Sequence, residues 1–341
     1  MVRIGIVGIG FMGMIHYLAA RKLQGAKVVA ICSRDEKKLA GDWTTIQGNF
    51  GPRGEMMDLS GIKTYRDLRD MLADPEIDLI DVCNPTNLHP EYAKQALRAG
   101  KHVLVEKAIA LSAKDADAML AAAREAKRLL MVAHVLPFVP EFAYAAEAVR
   151  SKRFGRLLGA HFRRIISQPD WSADIGDASK TGGPAVDLHI HDTHFIGLLC
   201  GVPGHVMSTG VVRNDAVDYL TTQYLYGPGG PAVTCSSGAV AMKARPFVHG
   251  FELYLEKATL TFESGVLPLT VLHADGTAES PKSEGADDAT AAFTNELQAA
   301  VEGVKAGKEP DLLSAKLARD ALVLCWKEIE SVKTGKAVAI D

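Results

Sequence analysis

The sequence predicts a chain in two parts, an α/β doubly wound parallel sheet followed by an α+β domain with a large, mainly antiparallel open sheet. Three observations predict it. An apolar, β-branched run at the N-terminus passes through a glycine-rich turn into a helical stretch. Strand and helix patterns then alternate as far as residue 135. Beyond Pro137 strand follows strand across short turns, the habit of antiparallel sheet.

Residues Arg3 to Val7 form the first strand, followed by Gly8-Ile-Gly10-Phe11-Met12-Gly13 and a helix from Met14 to Leu23. In this G-x-G-x-x-G pattern Gly8 makes the tight turn, Gly10 lets a pyrophosphate approach the backbone, and Gly13 lets helix and strand pack closely. The helix N-terminus then faces the phosphates. A second apolar run, Val28 to Cys32, arrives at the spacing of a βαβ unit, so the turn reads as a dinucleotide-binding fingerprint and the domain as a Rossmann domain. There follow a helix from Tyr65 to Ala73, a strand from Leu79 to Cys83, a helix from Glu91 to Ala99 stopped by Gly100, and a strand from His102 to Val105. Ser112 with Asp115 three residues on opens an alanine-rich helix that runs to Lys127 and leads into the strand Leu129 to Val135. Gln47 to Gly54 is a glycine-rich insertion, expected to be a mobile surface loop of the length sometimes used as a lid.

The domain boundary is expected at residues 135 and 136, giving a dinucleotide-binding domain over 1–135 and a substrate and oligomerisation domain over 136–341. In the second domain strands are expected at Leu157 to Ile166, His205 to Val212, Asp218 to Tyr226, Ala232 to Val240 and Phe251 to Phe262. Helices are expected from Thr294 to Lys305 and Leu312 to Val332, with a last short strand after Gly335.

With 341 residues, 48% apolar and 23% charged, the composition is that of an ordinary globular protein with a sizeable core. A net charge of −3 without a basic block argues against nucleic acid or an anionic membrane as partner and leaves small molecules or further copies of the chain. The five cysteines, at 32, 83, 200, 235 and 325, are scattered and hold no C-x-x-C pair, as expected of free buried thiols in a reducing compartment, the cytoplasm. The strand that begins at once leaves no room for a signal peptide, and no apolar run reaches spanning length.

The densest cluster of proton-moving groups is Thr181-Gly-Gly-Pro-Ala-Val-Asp187-Leu-His-Ile-His191-Asp-Thr-His194. Pro184 suits the first position of a helix. On that helix Asp187, His191 and His194 fall at i, i+4 and i+7 on one face, with His189 and Asp192 pointing elsewhere. Three readings are open for the segment: a carboxylate-oriented general base, a helix start decorated with satisfied polar groups, or a two-His, one-carboxylate metal site.

The order of motifs along the whole chain resembles the Gfo/Idh/MocA oxidoreductase family. The parts are Gly8-x-Gly10-x-x-Gly13, Cys83-Asn-Pro-Thr-Asn-Leu-His89, Gly100-Lys-His-Val-Leu-Val-Glu106-Lys107, the Gly-Gly-x-x-x-Asp187-x-x-x-His191 helix, and Thr334-Gly-Lys336-x-Val338. The resemblance implies a catalytic set of Lys107, Asp187 and His191 and no metal. It also implies that Pro85 and His89 line the nicotinamide side, while Asn84 and Glu106 bond the cofactor. Three positions depart from the usual pattern: Ala108 stands where proline is usual after Glu-Lys, His194 where aspartate is frequent, and Pro137 where an arginine is common.

The activity so implied is NAD(P)-dependent interconversion of a secondary alcohol and a ketone on a sugar, polyol or cyclitol. Two alternatives are transient use of the cofactor in glycoside cleavage, for which His194 would be an extra proton shuttle, and a non-catalytic sugar or dinucleotide sensor. Trp171 is the candidate sugar-facing residue beside Lys107, Asp187, His191 and His194, because an indole offers a flat apolar face; a core position suits it equally. Arg163 and Lys180 are weaker candidates. At the end of the second strand Ser33 and Arg34, with Lys38 nearby, suit a 2′-phosphate and favour NADP over NAD, with Asp35 the competing ribose ligand. The second sheet, with few helices to cover it, is expected to make the protein a homo-oligomer, dimer or tetramer. Alternating positions such as Val233, Cys235, Leu253 and Leu255 are the expected contact face.

Overall fold

A computed structural model gives the fold and describes residues 1–48, 50–168, 177–281 and 288–340. The chain divides into two compact units, Met1–Phe138 with Ala286–Arg319, and Val139–Gly285 with Asp320–Asp341.

The first unit contains β1 (Val2–Val7), α1 (Phe11–Ala20), β2 (Ala26–Cys32), α2 (Glu36–Leu39), β3 (Lys63–Tyr65), α3 (Leu68–Leu72), β4 (Leu79–Val82), α4 (His89–Arg98), β5 (His102–Glu106), α5 (Ala113–Ala126) and β6 (Leu130–Ala133). Its strands lie parallel in the order β3-β2-β1-β4-β5-β6. The order reverses direction between β1 and β4, and at such a switch point the carboxyl ends of the strands leave a crevice for a ligand. Every residue of β4 and β6 is buried, as a sheet covered on both faces requires. The Ser112 hydroxyl accepts the Asp115 N–H at 3.1 Å and donates to the Asp115 carboxylate at 2.7 Å, which fixes the start of α5.

The second unit holds α6 (Pro140–Arg150), β7 (Leu157–Ser167), α7 (Ala178–Thr181), α8 (Pro184–Asp187), α9 (Ile190–Cys200), β8 (His205–Arg213), β9 (Ala216–Leu225), β10 (Ala232–Ala241), β11 (Val248–Leu255), β12 (Ala258–Glu263), β13 (Leu267–His273) and β14 (Ala278–Glu279). Then come α10 (Ala291–Ala306), α11 (Ala315–Thr334) and β15 (Val338–Ala339), of which α10 groups with the first unit and β15 with the second, while α11 runs across the division. The described strands of the second unit form a sheet in the order β14-β13-β12-β11-β7-β10-β9-β8-β15, antiparallel except where β7 meets β10. Its core is aromatic: the Phe142 ring lies 5.1 Å from those of Phe195 and Phe251. Among the described residues no helix is long and apolar enough to cross a membrane, and all five cysteines are free thiols, Cys200 half-buried and the others buried.

Four expectations need correction. Tyr65 ends the edge strand β3, and the helix begins only at Leu68, after Asp67 caps it by accepting the Arg69 N–H at 2.8 Å. The stretch Phe251 to Phe262 is a hairpin, because Glu256 and Lys257 turn back and hydrogen-bond Arg156 and Phe154. The segment Ala286–Arg319, expected in the second domain, groups with the first: Leu297, Ala300 and Val301 of α10 share one core with Ile4, Ile6 and Met14. The glycine-rich insertion, expected to be mobile, is tied at its base. Asp42 bridges Met56, the Trp43 and Gly54 N–H groups bond the Glu55 and Ile46 carbonyls, and fully buried Trp43 donates its indole N–H to the Lys38 carbonyl at 2.9 Å.

Candidate active site

The fingerprint turn is shaped by backbone contacts that leave no room for side chains. Gly8 has φ +92°, and a Cβ there would lie 2.9 Å from the Asn84 nitrogen. A Cβ on Gly13 would lie 2.1 Å from the Gly8 carbonyl oxygen, so helix and strand pack as closely as the pattern implies. Gly10, by contrast, has nothing within 4 Å of where its Cβ would be. Phe11 and Met12 open α1, whose first-turn N–H groups have no partner inside the helix. Against Gly8 the Asn84 Oδ1 is buried and has no hydrogen-bond partner among the described residues. An open cradle at a helix N-terminus beside an orphaned acceptor fits a dinucleotide.

At the end of β2, Ser33 Oγ accepts the Asp35 N–H at 3.2 Å, and Asp35 accepts the Lys37 N–H at 3.0 Å as the cap of α2. Arg34 is exposed, and Lys38 is partly buried where its carbonyl receives the Trp43 indole.

Lys107 leaves the carboxyl end of β5, half-buried, with its backbone N–H donated to Glu106 Oε2 at 3.0 Å. Glu106 has partners within the protein on both oxygens. It is buried, and its other oxygen lies 3.1 Å from Nε2 of His16, whose Nδ1 is 2.9 Å from Asp81 Oδ2. Glu296 of α10 lies 4.0 Å from the same His16 ring, and Cys83 Sγ lies 3.5 Å from it. Burial disfavours a charged imidazole, but Asp81 outweighs it and holds the His16 pKa well above the usual range. Burial, with Glu106 beside it, pushes the Glu296 carboxyl up. Pro85 is exposed, but the His89 ring is fully buried, with Nδ1 2.7 Å from the Ala108 carbonyl and Nε2 2.8 Å from the Asn84 carbonyl. Burial lowers its pKa, and a neutral ring donates to only one of the two carbonyls. It ties the β4 and β5 ends together.

In the second unit Asp187 ends α8 and His191 stands at the start of α9, both half-buried. The single helix expected from Pro184 is broken between them: Leu188 and His189 both donate to the Pro184 carbonyl, a one-residue slip that turns the following residues. His194, expected on the substrate-facing side, is fully buried, and burial pushes its pKa down to about 3. His189 and Asp192 form buried ion pairs, His189 with Glu328 at 2.6 Å and Asp192 with Arg164 through two contacts of 2.6 and 3.1 Å. Trp171 lies outside the described residues. Arg163 pairs with Glu263, Lys180 stands 3.8 Å from Asp177, and Pro137 is buried.

His16, Asp81, Glu296, Arg164 and Glu328 were not singled out from the sequence. The available signal was a polar residue within an apolar stretch, as His16 is within Met14 to Leu23, but its partners are up to 280 residues away (296 − 16).

Residues 2–134 match the family model described as "Oxidoreductase family, NAD-binding Rossmann fold". The myo-inositol 2-dehydrogenase of Thermotoga maritima is 25% identical over 99% of this chain and 98% of its own length. The D-xylose 1-dehydrogenase (NADP(+)) 2 of Haloferax volcanii is 26% identical over 99% of each chain. A solved oxidoreductase from Agrobacterium radiobacter, in complex with NAD⁺, L-tartaric acid and magnesium, shares the fold with a TM-score of 0.79 at 20% identity, over 99% of this chain and 98% of that one. With the fingerprint, the strand order and the Glu106-Lys107 strand end in place, residues 2–134 belong to the NAD-binding Rossmann domains of the Gfo/Idh/MocA oxidoreductase family.

Proposed function

We propose that the protein is an NAD(P)-dependent dehydrogenase interconverting a secondary alcohol and a ketone on a sugar, polyol or cyclitol. The observation that carries this reading is that Lys107 leaves the carboxyl end of β5, two strands along the sheet from the open glycine cradle after β1. The substrate class is that of the relatives named above.

A bound nicotinamide supplies the hydride acceptor. The chain's own residues manage the proton and the charge. The His191 imidazole takes the hydroxyl proton, and the Asp187 carboxylate orients the ring and favours its charged form. The Lys107 ammonium hydrogen-bonds the same substrate oxygen and stabilises the developing alkoxide. The burial of His194 removes the extra proton shuttle that motivated a transient use of the cofactor. The test is His191→Ala, expected to lower turnover by about a hundredfold or more with the cofactor dissociation constant unchanged. Wild-type-like turnover in that variant would sink the assignment.

NADP(H) is the proposed cofactor. Arg34 is exposed directly after β2, and one oxygen of the competing carboxylate, Asp35, is engaged as the cap of α2.

A further inference from the structure

Between α2 and β3 the chain forms a loop whose ends meet, an Ω-loop closed by the Asp42–Met56 bridge. Such loops are compact and are often used for function. The described residues at the tip of this one lie against the fingerprint helix. The Phe50 ring meets Phe11, the first residue of α1, edge to face at 4.8 Å and stacks on Phe293 at 5.5 Å with an interplanar angle of 2°. A Cβ on Gly48 would lie 2.5 Å from the Phe11 ring, so only glycine allows the approach. A Cβ on Gly51, at φ +68°, would lie 3.0 Å from Ile15 Cδ1, one turn further along α1. The loop is thus pinned at its base and pressed by its tip onto the first turn of the helix that receives the cofactor's phosphates. Yet Phe50 keeps 38% of its surface exposed, which is much for an aromatic ring already in contact with two others.

We propose that this loop is a wall of the dinucleotide site, with Phe50 as a cofactor-binding residue beside the pyrophosphate bridge. The inference rests on the dehydrogenase reading above. The physical role follows from position: an apolar ring beside the first turn of α1 excludes water from the phosphates. The hydrogen bonds from the helix N-terminus then act in a lower dielectric.

The test measures dissociation constants of NAD⁺, NADP⁺, ADP-ribose and AMP for wild type, Phe50→Ala and Phe50→Tyr, with melting temperatures as a folding control. Phe50→Ala is expected to weaken both dinucleotides and ADP-ribose roughly threefold to tenfold, the size of one aromatic contact. AMP, which lacks the bridge, is expected to bind unchanged, and Phe50→Tyr to behave as wild type. Hydrogen exchange on the wild-type protein gives a second readout, with residues 43–55 expected to gain protection when NAD⁺ or NADP⁺ is added. Unchanged dinucleotide affinity in Phe50→Ala, an equal loss for AMP, or unchanged exchange of the loop overturns the proposal and leaves the dehydrogenase reading standing. A wild-type protein that binds no dinucleotide overturns both.

Discussion

Glu328 Oε2 lies 2.6 Å from His189 Nε2, and neither side chain has any exposed surface. Three residues from His189, Asp192 grips Arg164 of β7 through both carboxylate oxygens. These two buried pairs flank His191 and fix the turn between α8 and α9 from which Asp187 and His191 emerge. Breaking one partner of a buried pair strands the other charge, so Glu328→Gln is expected to cost about 3 to 5 kcal/mol of stability. Replacing both, as His189→Leu with Glu328→Leu, is expected to recover most of that. Urea unfolding of the single and double variants checks it, and a double variant as weak as the single one contradicts it.

The buried histidines are expected to give stability a maximum near neutral pH. Burial alone pushes His194 down to about 3, and burial with Arg164 nearby does the same to His249. A lowered folded pKa means stability that is present above the unfolded value and lost as pH falls through the window from about 6.5 to about 3. His16 and His189 act in the other direction. Burial opposes their charge, but Asp81 and Glu328 prevail and raise both. Their contribution is full below about 6.5 and is lost as pH rises through the raised folded values. Urea midpoints measured from pH 4 to 9 should therefore fall on both sides, and His194→Gln should flatten the acid limb. An unchanged acid limb in that variant contradicts the assignment.

Much of this fold was legible because its signals are local. The G-x-G-x-x-G turn, the Ser112–Asp115 cap and the strand runs that became β4, β5 and β6 each need only neighbouring residues to declare themselves. The buried charges were not legible, because a single histidine at position 16 or 189 reads as an ordinary polar residue until folding brings Glu106 or Glu328 against it. The same holds for α10: its amphipathic pattern fixes which face is apolar but not that this face packs in the core around β1. The i, i+4, i+7 face of Asp187, His191 and His194 failed because the pattern assumes an unbroken helix, and the Pro184 carbonyl takes two donors where a regular helix gives it one.

Cofactor choice is expected to turn on Arg34. Its guanidinium is exposed after β2, while Asp35 places one carboxylate oxygen on the N-terminus of α2. Arg34→Ala should weaken NADP⁺ by about tenfold or more, the size of a lost charge-assisted hydrogen bond, and leave NAD⁺ unchanged. Tighter binding of NAD⁺ than NADP⁺ by the wild-type protein would overturn the preference.

The second unit is expected to pair with another copy, through a face other than the apolar one first indicated. Val233, Cys235, Leu253 and Leu255 are already buried within the single chain. Strand pairing places Thr209, Thr221 and Ser236 in register on the opposite face, where Gln223 and Tyr254 are exposed. That face carries a row of hydroxyls, and Thr221 already bonds Ser236 across the strands at 3.0 Å. A two-fold contact through it brings the same residue in from both copies, so one introduced charge is introduced twice. Thr221→Arg should therefore weaken association by about a hundredfold or more through like-charge repulsion while the far-ultraviolet circular dichroism stays that of wild type. Light scattering on both proteins decides it, and a wild-type monomer at micromolar concentration contradicts the expectation.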